Sequence, residues 1–377
     1  THRKEMNNPF RYGIAVDEPY FIDREQEIKE FSGWLTSGQS LVVYSPRRYG
    51  KTSLILKILK NLQAEGYKTV YVDFFKVSSR RRFAELYYRE IMKQMPSWEK
   101  ALKKIAGLTK RVRPVISLDQ QGLPNISVKF ENGSEKEDLT EVFDLPERLA
   151  EHKQWVVVFD EFQDITRLNG ESFEKELRAS VIHHSKVSYV FMGSKIHILL
   201  NIFTHRNRAF YQFGKLYELK KIPAGILAAY LDKGFQNTEI KLGSAISNQI
   251  IETCDAIPHY VQYLASGAWE EAQENNGILD QVVLGNAVDR IVMNQNDYFM
   301  NQYEELTAHQ QRVLLAVCEE NKNIYTSEFA ERFHLNPVSS TQRSIQRLLK
   351  DGILSKNADS YNFNDPFFRL WLIKTIA

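Results

Sequence analysis

The apolar residues of this chain follow two rhythms. Up to Ile222, short apolar runs alternate with stretches of helical spacing; from Pro223 onward helical spacing continues almost alone. Leu41–Tyr44 and residues 69–75, 155–159, 186–192 and 216–219 are runs of strand length, rich in β-branched and aromatic side chains. Between them, Ile28, Phe31, Trp34 and Leu35, then Leu54, Ile55, Ile58 and Leu59, then Phe83, Leu86, Tyr87 and Ile91 recur as single helix faces. Asp23, with Gln26 three residues on, is the expected cap of the first helix, and Gly38 and Gly66 are stop signals. Strands alternating with helices predict an α/β unit on a parallel sheet. Residues 155–159, apolar throughout, are expected at its centre, buried on both faces.

Residues 96–139 break the alternation. Residues 115–118 and 126–130 read as a hairpin insertion around 120–125, which contains Gly122 and Pro124, and residues 139–152 return to helix. Beyond Pro223, residues 225–235, 245–254, 258–274 and 280–302 predict helices with no strand between them, Pro258 standing in a first turn. A helix over 307–319, a short one capped by Thr326, a turn at 334–337, a helix over 338–350 and a hairpin of 353–355 with 361–363 make a winged helix-turn-helix. The expected division is therefore an N-terminal strap (1–20), an α/β core (21–222), a helical domain (223–303) and a winged helix (304–377).

Candidate chemistry gathers at two strand ends. Leu41–Tyr44 runs into a loop over 45–52 that ends in Gly-Lys-Thr and opens a helix, the context of a phosphate-binding P-loop. Ser45, Pro46, Arg47, Arg48, Tyr49, Gly50, Lys51, Thr52 and Ser53 form the expected binding stretch. Its backbone N–H groups and the helix N-terminus favour anions. Lys51 suits the β- and γ-phosphates of ATP, and Thr52 suits Mg2+. Ser45 stands where the pattern has glycine, and a positive φ there would cost about 1–2 kcal/mol. The second strand end is Asp160-Glu161: Asp160 is expected to hold Mg2+ through water, and Glu161 to orient and polarise the attacking water. Ser194, after the run 186–192, has two open readings: a sensor of the γ-phosphate or water, or the cap of a helix over 196–203. Arg206 and Arg208 are candidates for a finger that stabilises transition-state charge.

Composition narrows the classes. The chain has 377 residues and a net charge of +2, so no global polycation argues for nucleic acid. From Glu305 onward nine Lys/Arg stand against eight acids, although Ser339, Ser340, Gln342, Arg343, Gln346, Arg347 and Lys350 face outward as a candidate groove reader. The two cysteines, Cys254 and Cys318, make neither a disulfide framework nor a zinc pattern and suit a reducing cytoplasm. No apolar run approaches the ~20 residues that cross a bilayer, and the N-terminal Thr-His-Arg-Lys-Glu lacks a signal-peptide core, so the expected location is cytoplasmic with no membrane partner.

These residues resemble the archaeal-type ATPase family, a branch of the AAA+-related signal-transduction ATPases with numerous domains. Four stretches carry the likeness: Phe-Ile-Asp-Arg-Glu (21–25), Pro-Arg-Arg-Tyr-Gly-Lys-Thr-Ser-Leu (46–54), Asp-Glu-Phe-Gln (160–163) and Asp-Pro-Phe-Phe-Arg-Leu-Trp (365–371). The resemblance implies a five-stranded P-loop NTPase core with the P-loop, sensor and acidic strands adjacent, then a helical lid and a winged helix. It also implies that Phe21 and Arg24 lie near the adenine and that Pro258, in the lid's Gly-x-Pro motif, contacts the nucleotide. Here that motif reads Ala256-Ile257-Pro258, without its glycine. Some relatives continue into a nuclease-like domain, and no such activity is expected of this chain. The leading expectation is a slow, Mg2+-dependent ATPase acting as a nucleotide-driven switch. The alternatives are a nucleotide-gated DNA-binding regulator and a scaffold that binds ATP with little hydrolysis. ATP and ADP are the expected ligands, with DNA, a protein partner or a second copy as further candidates.

Overall fold

In the computed structural model, residues 7–15, 19–118, 124–130, 139–150, 154–168, 171–335, 337–357 and 359–376 are described. Residues 120–123 of the hairpin turn expected around 120–125, part of the strap, and Asn336 and Ala358 in the expected winged-helix turns lie outside them. The chain divides into two compact units. One comprises Arg24–Ser45 and Gly50–Lys220; the other comprises Thr1–Asp23, Pro46–Tyr49 and Lys221–Ala377.

The first unit runs α1 (Glu25–Thr36), β1 (Leu41–Tyr44), α2 (Lys51–Ala64), β2 (Lys68–Asp73), α3 (Arg80–Lys93), α4 (Trp98–Leu108), β3 (Val112–Leu118), β4 (Pro124–Phe130), α5 (Thr140–Phe143), α6 (Leu145–Leu149), β5 (Trp155–Asp160), α7 (Glu171–Val181), β6 (Val187–Gly193), α8 (Ile196–Thr204) and β7 (Lys215–Glu218). Five strands form a parallel sheet in the order β2-β5-β6-β1-β7. All residues of β5 and β6 are buried, while β7 is an exposed edge, which accounts for the unbroken apolar runs at the centre. Phe159 of β5 packs against Phe74, Phe83, Phe162 and Phe191 with ring centroids 5.6–6.1 Å apart. The insertion carries a helix that its sequence did not announce: Ala101 and Ile105 of α4 join Val112, Ile126 and Val128 of the β3–β4 hairpin in the same core as α3.

One capping expectation fails. Asp23 is not the cap of α1; that place falls to Arg24, with φ 75° and no side-chain capping bond to the first-turn N–H groups. Asp23 itself has φ 48°, so the chain turns sharply where a capping box needs extended backbone.

The second unit holds α9 (Ala224–Gln236), β8 (Lys241–Leu242), α10 (Ile246–Thr253), α11 (Pro258–Glu274), β9 (Ile278–Leu279), α12 (Gln281–Asn294) and α13 (Asn296–Glu304). Contrary to the helix-only expectation, β8 and β9 pair as a two-residue parallel bridge, and the helix expected over 280–302 breaks at Gln295. Then come α14 (Ala308–Glu319), α15 (Ser327–Arg332), α16 (Val338–Lys350), an antiparallel wing of β10 (Leu354–Asn357) and β11 (Ser360–Phe363), and α17 (Pro366–Trp371). Thr307 and Gln310 close a capping box on α14, and Thr326 caps α15. Trp371 packs on Phe299 and Phe368 and donates its indole N–H to Asn296 at 3.0 Å. No helix among the described residues is long and apolar enough to cross a membrane.

Candidate nucleotide-binding site

In the first unit, three neighbouring strands bring the expected chemistry together. Lys51 opens α2 with its side chain buried, and its ammonium donates to the Ser45 carbonyl at 2.9 Å and the Ser45 hydroxyl at 3.2 Å. Ser45 is not among the residues with positive φ. The left-handed positions of the loop are Arg48, φ 70°, and Gly50, φ 88°. The strain foreseen at the missing first glycine therefore sits on Arg48, at about 1–2 kcal/mol.

The Thr52 hydroxyl donates to Asp160 Oδ2 at 3.0 Å, and the Tyr71 phenol, from β2, donates to the same oxygen at 2.5 Å. Asp160 Oδ1 accepts the Glu161 N–H at 2.8 Å, so both carboxylate oxygens are held. Burial and the neighbouring Asp160 push the Tyr71 hydroxyl far above its ordinary range, which keeps it a donor. Asp73, at the end of β2 and in register with Asp160, is also raised, by burial first and then by Asp160 and Glu161. Phosphates bound beside Lys51 would add to this negative field. Hard oxygen donors with carboxylates in mutual repulsion fit Mg2+. Among the described residues no three His, Cys, Asp or Glu could hold an ion alone, so Mg2+ here would take further ligands from water and phosphate.

Glu161 has φ 48°, a strained position for a non-glycine residue. The Ser194 hydroxyl donates to its Oε2 at 2.7 Å, and the Gln163 amide donates to the same oxygen. Ser194 therefore does not cap α8, whose N-terminal position is Lys195. Gln163 is 1% exposed, and its Oε1 has no hydrogen-bond partner among the described residues. A Cβ on Gly193 would come 2.0 Å from that oxygen, so glycine at the end of β6 makes room for the amide. Tyr71, Gln163 and Gly193 were not identified from sequence. Gln163, in the Asp-Glu-Phe-Gln stretch, was a signal that could have pointed there, whereas Tyr71 stands in a run that also carries Thr69 and Asp73.

The remaining candidates of this unit separate. Arg208 is held by Glu174, through Nε at 3.2 Å and Nη2, which makes it a structural partner of a buried carboxylate; Arg206 is exposed. Arg24 is buried and donates to Glu27 at 2.6 Å and to the Lys220 carbonyl at 2.7 Å. Ser53 is half-buried in the first turn of α2.

The second unit contains Phe21, Pro46, Arg47, Arg48, Tyr49 and Pro258. Tyr49 is buried in one core with Phe10, Ile22 and Tyr260, while Arg47 is exposed and Phe21 half-buried. The Arg48 guanidinium lies 4.6 Å over the Tyr260 ring and donates to Asp365 Oδ2 at 3.2 Å. The Arg48 carbonyl accepts the His259 N–H at 3.4 Å, next to Pro258 at the start of α11. Burial, then the Arg48 charge, pushes His259 down to about 4, so the ring is neutral at pH 7. Ala256, in place of the lid glycine, has φ 50°.

Two family models match the chain. One, described as an ATPase domain predominantly from Archaea, covers residues 21–264; the other, a probable winged helix domain, covers 297–374. The chain is 27% identical over 154 residues and 31% identical over 157 residues to two uncharacterized ATP-binding proteins of Methanocaldococcus jannaschii. Each match covers 38% of this chain and 40% or 39% of the relative. Among solved structures, the Walker-type ATPase of Pyrococcus abyssi is similar at TM-score 0.65 and 18% identity, covering 94% of this chain and 97% of that one. The Aeropyrum pernix ORC2 protein, in ADPNP–ADP complexes, is similar at TM-score 0.57 and 14% identity, covering 97% of each. Those likenesses show the fold. The family model spans more than half of the sequence, and the chain belongs to the ATPase-domain family found predominantly in Archaea, joined to a winged helix.

Proposed function

We propose that this protein is an ATP-driven switch that binds ATP with Mg2+, hydrolyses it slowly to ADP and phosphate, and turns the change of nucleotide into movement of its helical lid (223–303) and winged helix (304–377). The observation that carries the reading is Glu161, held by Ser194 and Gln163 beside an Asp160 bonded to Thr52 of the Gly-Lys-Thr turn. In this reading Lys51 binds the β- and γ-phosphate oxygens, and Thr52 and Asp160 hold Mg2+, which when bound neutralises phosphate charge. Glu161 accepts a proton from the attacking water. The exposed Arg206 is retained as a finger offered to a neighbouring copy, so specific activity is expected to rise with protein concentration.

The test sets nucleotide affinity beside single-turnover hydrolysis. Lys51→Ala is expected to lose ATP affinity, and Glu161→Gln to keep ATP·Mg2+ and lose hydrolysis. Equal ATP binding by wild type and Lys51→Ala would remove the phosphate-loop assignment. Equal hydrolysis by wild type and Glu161→Gln would remove the role of Glu161.

A second reading makes DNA the output, because α16 exposes Gln342, Arg343, Gln346, Arg347 and Lys350 opposite its buried face. Arg347 is engaged with Asp351 at 2.7 Å, so its contact to a phosphate must displace that pair. Replacing Arg343, Arg347 and Lys350 by alanine is expected to flatten the salt dependence of DNA binding by roughly one unit of slope per contact. Absence of DNA affinity at low salt would favour protein docking instead.

A further inference from the structure

We infer that Arg48 and Asp365 form a latch that ties the crown of the phosphate loop to the winged helix and opposes nucleotide binding while it is closed. The inference rests on the nucleotide reading and adds its regulation. Pro46–Tyr49 belongs to the same compact unit as the lid and winged helix, whereas the flanking Ser45 and Gly50 belong to the sheet. Arg48 occupies a left-handed position that any side chain strains, and it persists there with three contacts. Its guanidinium stacks over Tyr260, its Nη1 meets Asp365 Oδ2, and its carbonyl accepts the His259 N–H.

Asp365 has two tasks. Its Oδ1 caps α17 by accepting the N–H groups of Phe367 at 2.9 Å and Phe368 at 3.3 Å, which leaves Oδ2 for Arg48. Phe367 in turn packs edge-on against Tyr260 at 5.8 Å, so the stacking ring and the carboxylate are braced by one helix. The direction of the effect follows from charge. A carboxylate on the loop's own arginine neutralises a cation that the loop would otherwise offer to polyphosphate. Coupling of this kind is reciprocal: a latch that weakens ATP binding is opened by ATP.

Asp365→Asn removes the charge and keeps a good cap, so α17 stays formed; Arg48→Gly removes the side chain and the backbone strain together. Each variant is expected to bind ATP about fivefold or more tighter than wild type, and the double variant no tighter than the better single. In wild type, ATP is expected to speed hydrogen exchange at the His259 amide, which the Arg48 carbonyl holds; in Asp365→Asn it should exchange fast without nucleotide. Unchanged or weaker ATP affinity in both single variants, or ATP-insensitive exchange at the His259 amide in wild type that binds ATP, would overturn the latch. Wild type that binds no ATP would instead overturn the nucleotide reading on which it stands.

Discussion

Replacing Arg208 by alanine strips a buried carboxylate of its counter-ion. The Glu174 side chain is 2% exposed and that of Arg208 17%. Arg208 supplies two of the bonds to Glu174, and the Ala209 N–H supplies a third at 3.2 Å. Only the Ala209 bond survives the substitution. Breaking a buried pair from one side costs about 3–5 kcal/mol; the surviving N–H, and entry of water where the arginine stood, place the loss near the lower end, at about 3 kcal/mol. That is roughly 6–12 °C in melting temperature for a unit of 150–250 residues. Urea unfolding measures it, provided the slope of free energy against denaturant is unchanged. Pairing Arg208→Met with Glu174→Leu is expected to recover most of the loss, because both charges then leave together. Arg206→Ala, at an exposed position, should stay within about 0.5 kcal/mol of wild type. The reasoning fails if Arg208→Ala is destabilised by less than about 1 kcal/mol and yet loses turnover, since Arg208 would then serve the reaction rather than Glu174.

Four further outcomes follow from the site and its surroundings. Tyr71→Phe removes one of two hydroxyl donors on Asp160 Oδ2, and fluorescent-nucleotide titrations should show the Mg2+ requirement rising about two- to tenfold with Mg2+-free affinity unchanged. Gly193→Ala places a Cβ 2.0 Å from Gln163 Oε1, and single-turnover hydrolysis should fall while nucleotide affinity holds. Ala256→Gly relieves a left-handed alanine, φ 50°, and should raise the urea midpoint by the equivalent of about 0.5–1 kcal/mol after the entropy of glycine is subtracted. Burial alone would raise the Asp144 carboxyl, but the hydrogen bond and charge of His184, aided by Arg148 and Ser180, hold it below its ordinary 3.8. Its stabilising contribution is complete above pH about 3.8 and fades as the pH falls through the lower folded value, so Asp144→Asn should flatten the acid limb of stability against pH.

Much of the sheet was legible because burial on both faces leaves runs with almost no polar residue, as in 155–159, and because Gly-Lys-Thr and Asp-Glu mark the ends of two strands. Pro258 and Thr326 announced their helix starts through chemistry confined to one turn. What escaped depends on neighbours distant in sequence. Tyr71 meets Asp160 only because β2 pairs with β5, and Gln163 needs Gly193 only because β6 lies alongside. The capping box expected at Asp23 was a local pattern overridden by tertiary structure, since φ there is positive. Arg208 looked like a loop arginine because nothing in sequence ties it to Glu174, 34 residues earlier.

The two units exchange the chain four times, between residues 23 and 24, 45 and 46, 49 and 50, and 220 and 221. Two of these crossings enclose the four crown residues of the phosphate loop, and a third falls at the consecutive left-handed residues Asp23 and Arg24. The loop expected to hold phosphate is thus divided along the sequence, Ser45 and Gly50 belonging to one unit and Pro46–Tyr49 to the other. It follows too that neither unit can be excised by a single cut, since the sheet unit would keep Pro46–Tyr49 and lose the core in which Tyr49 is buried.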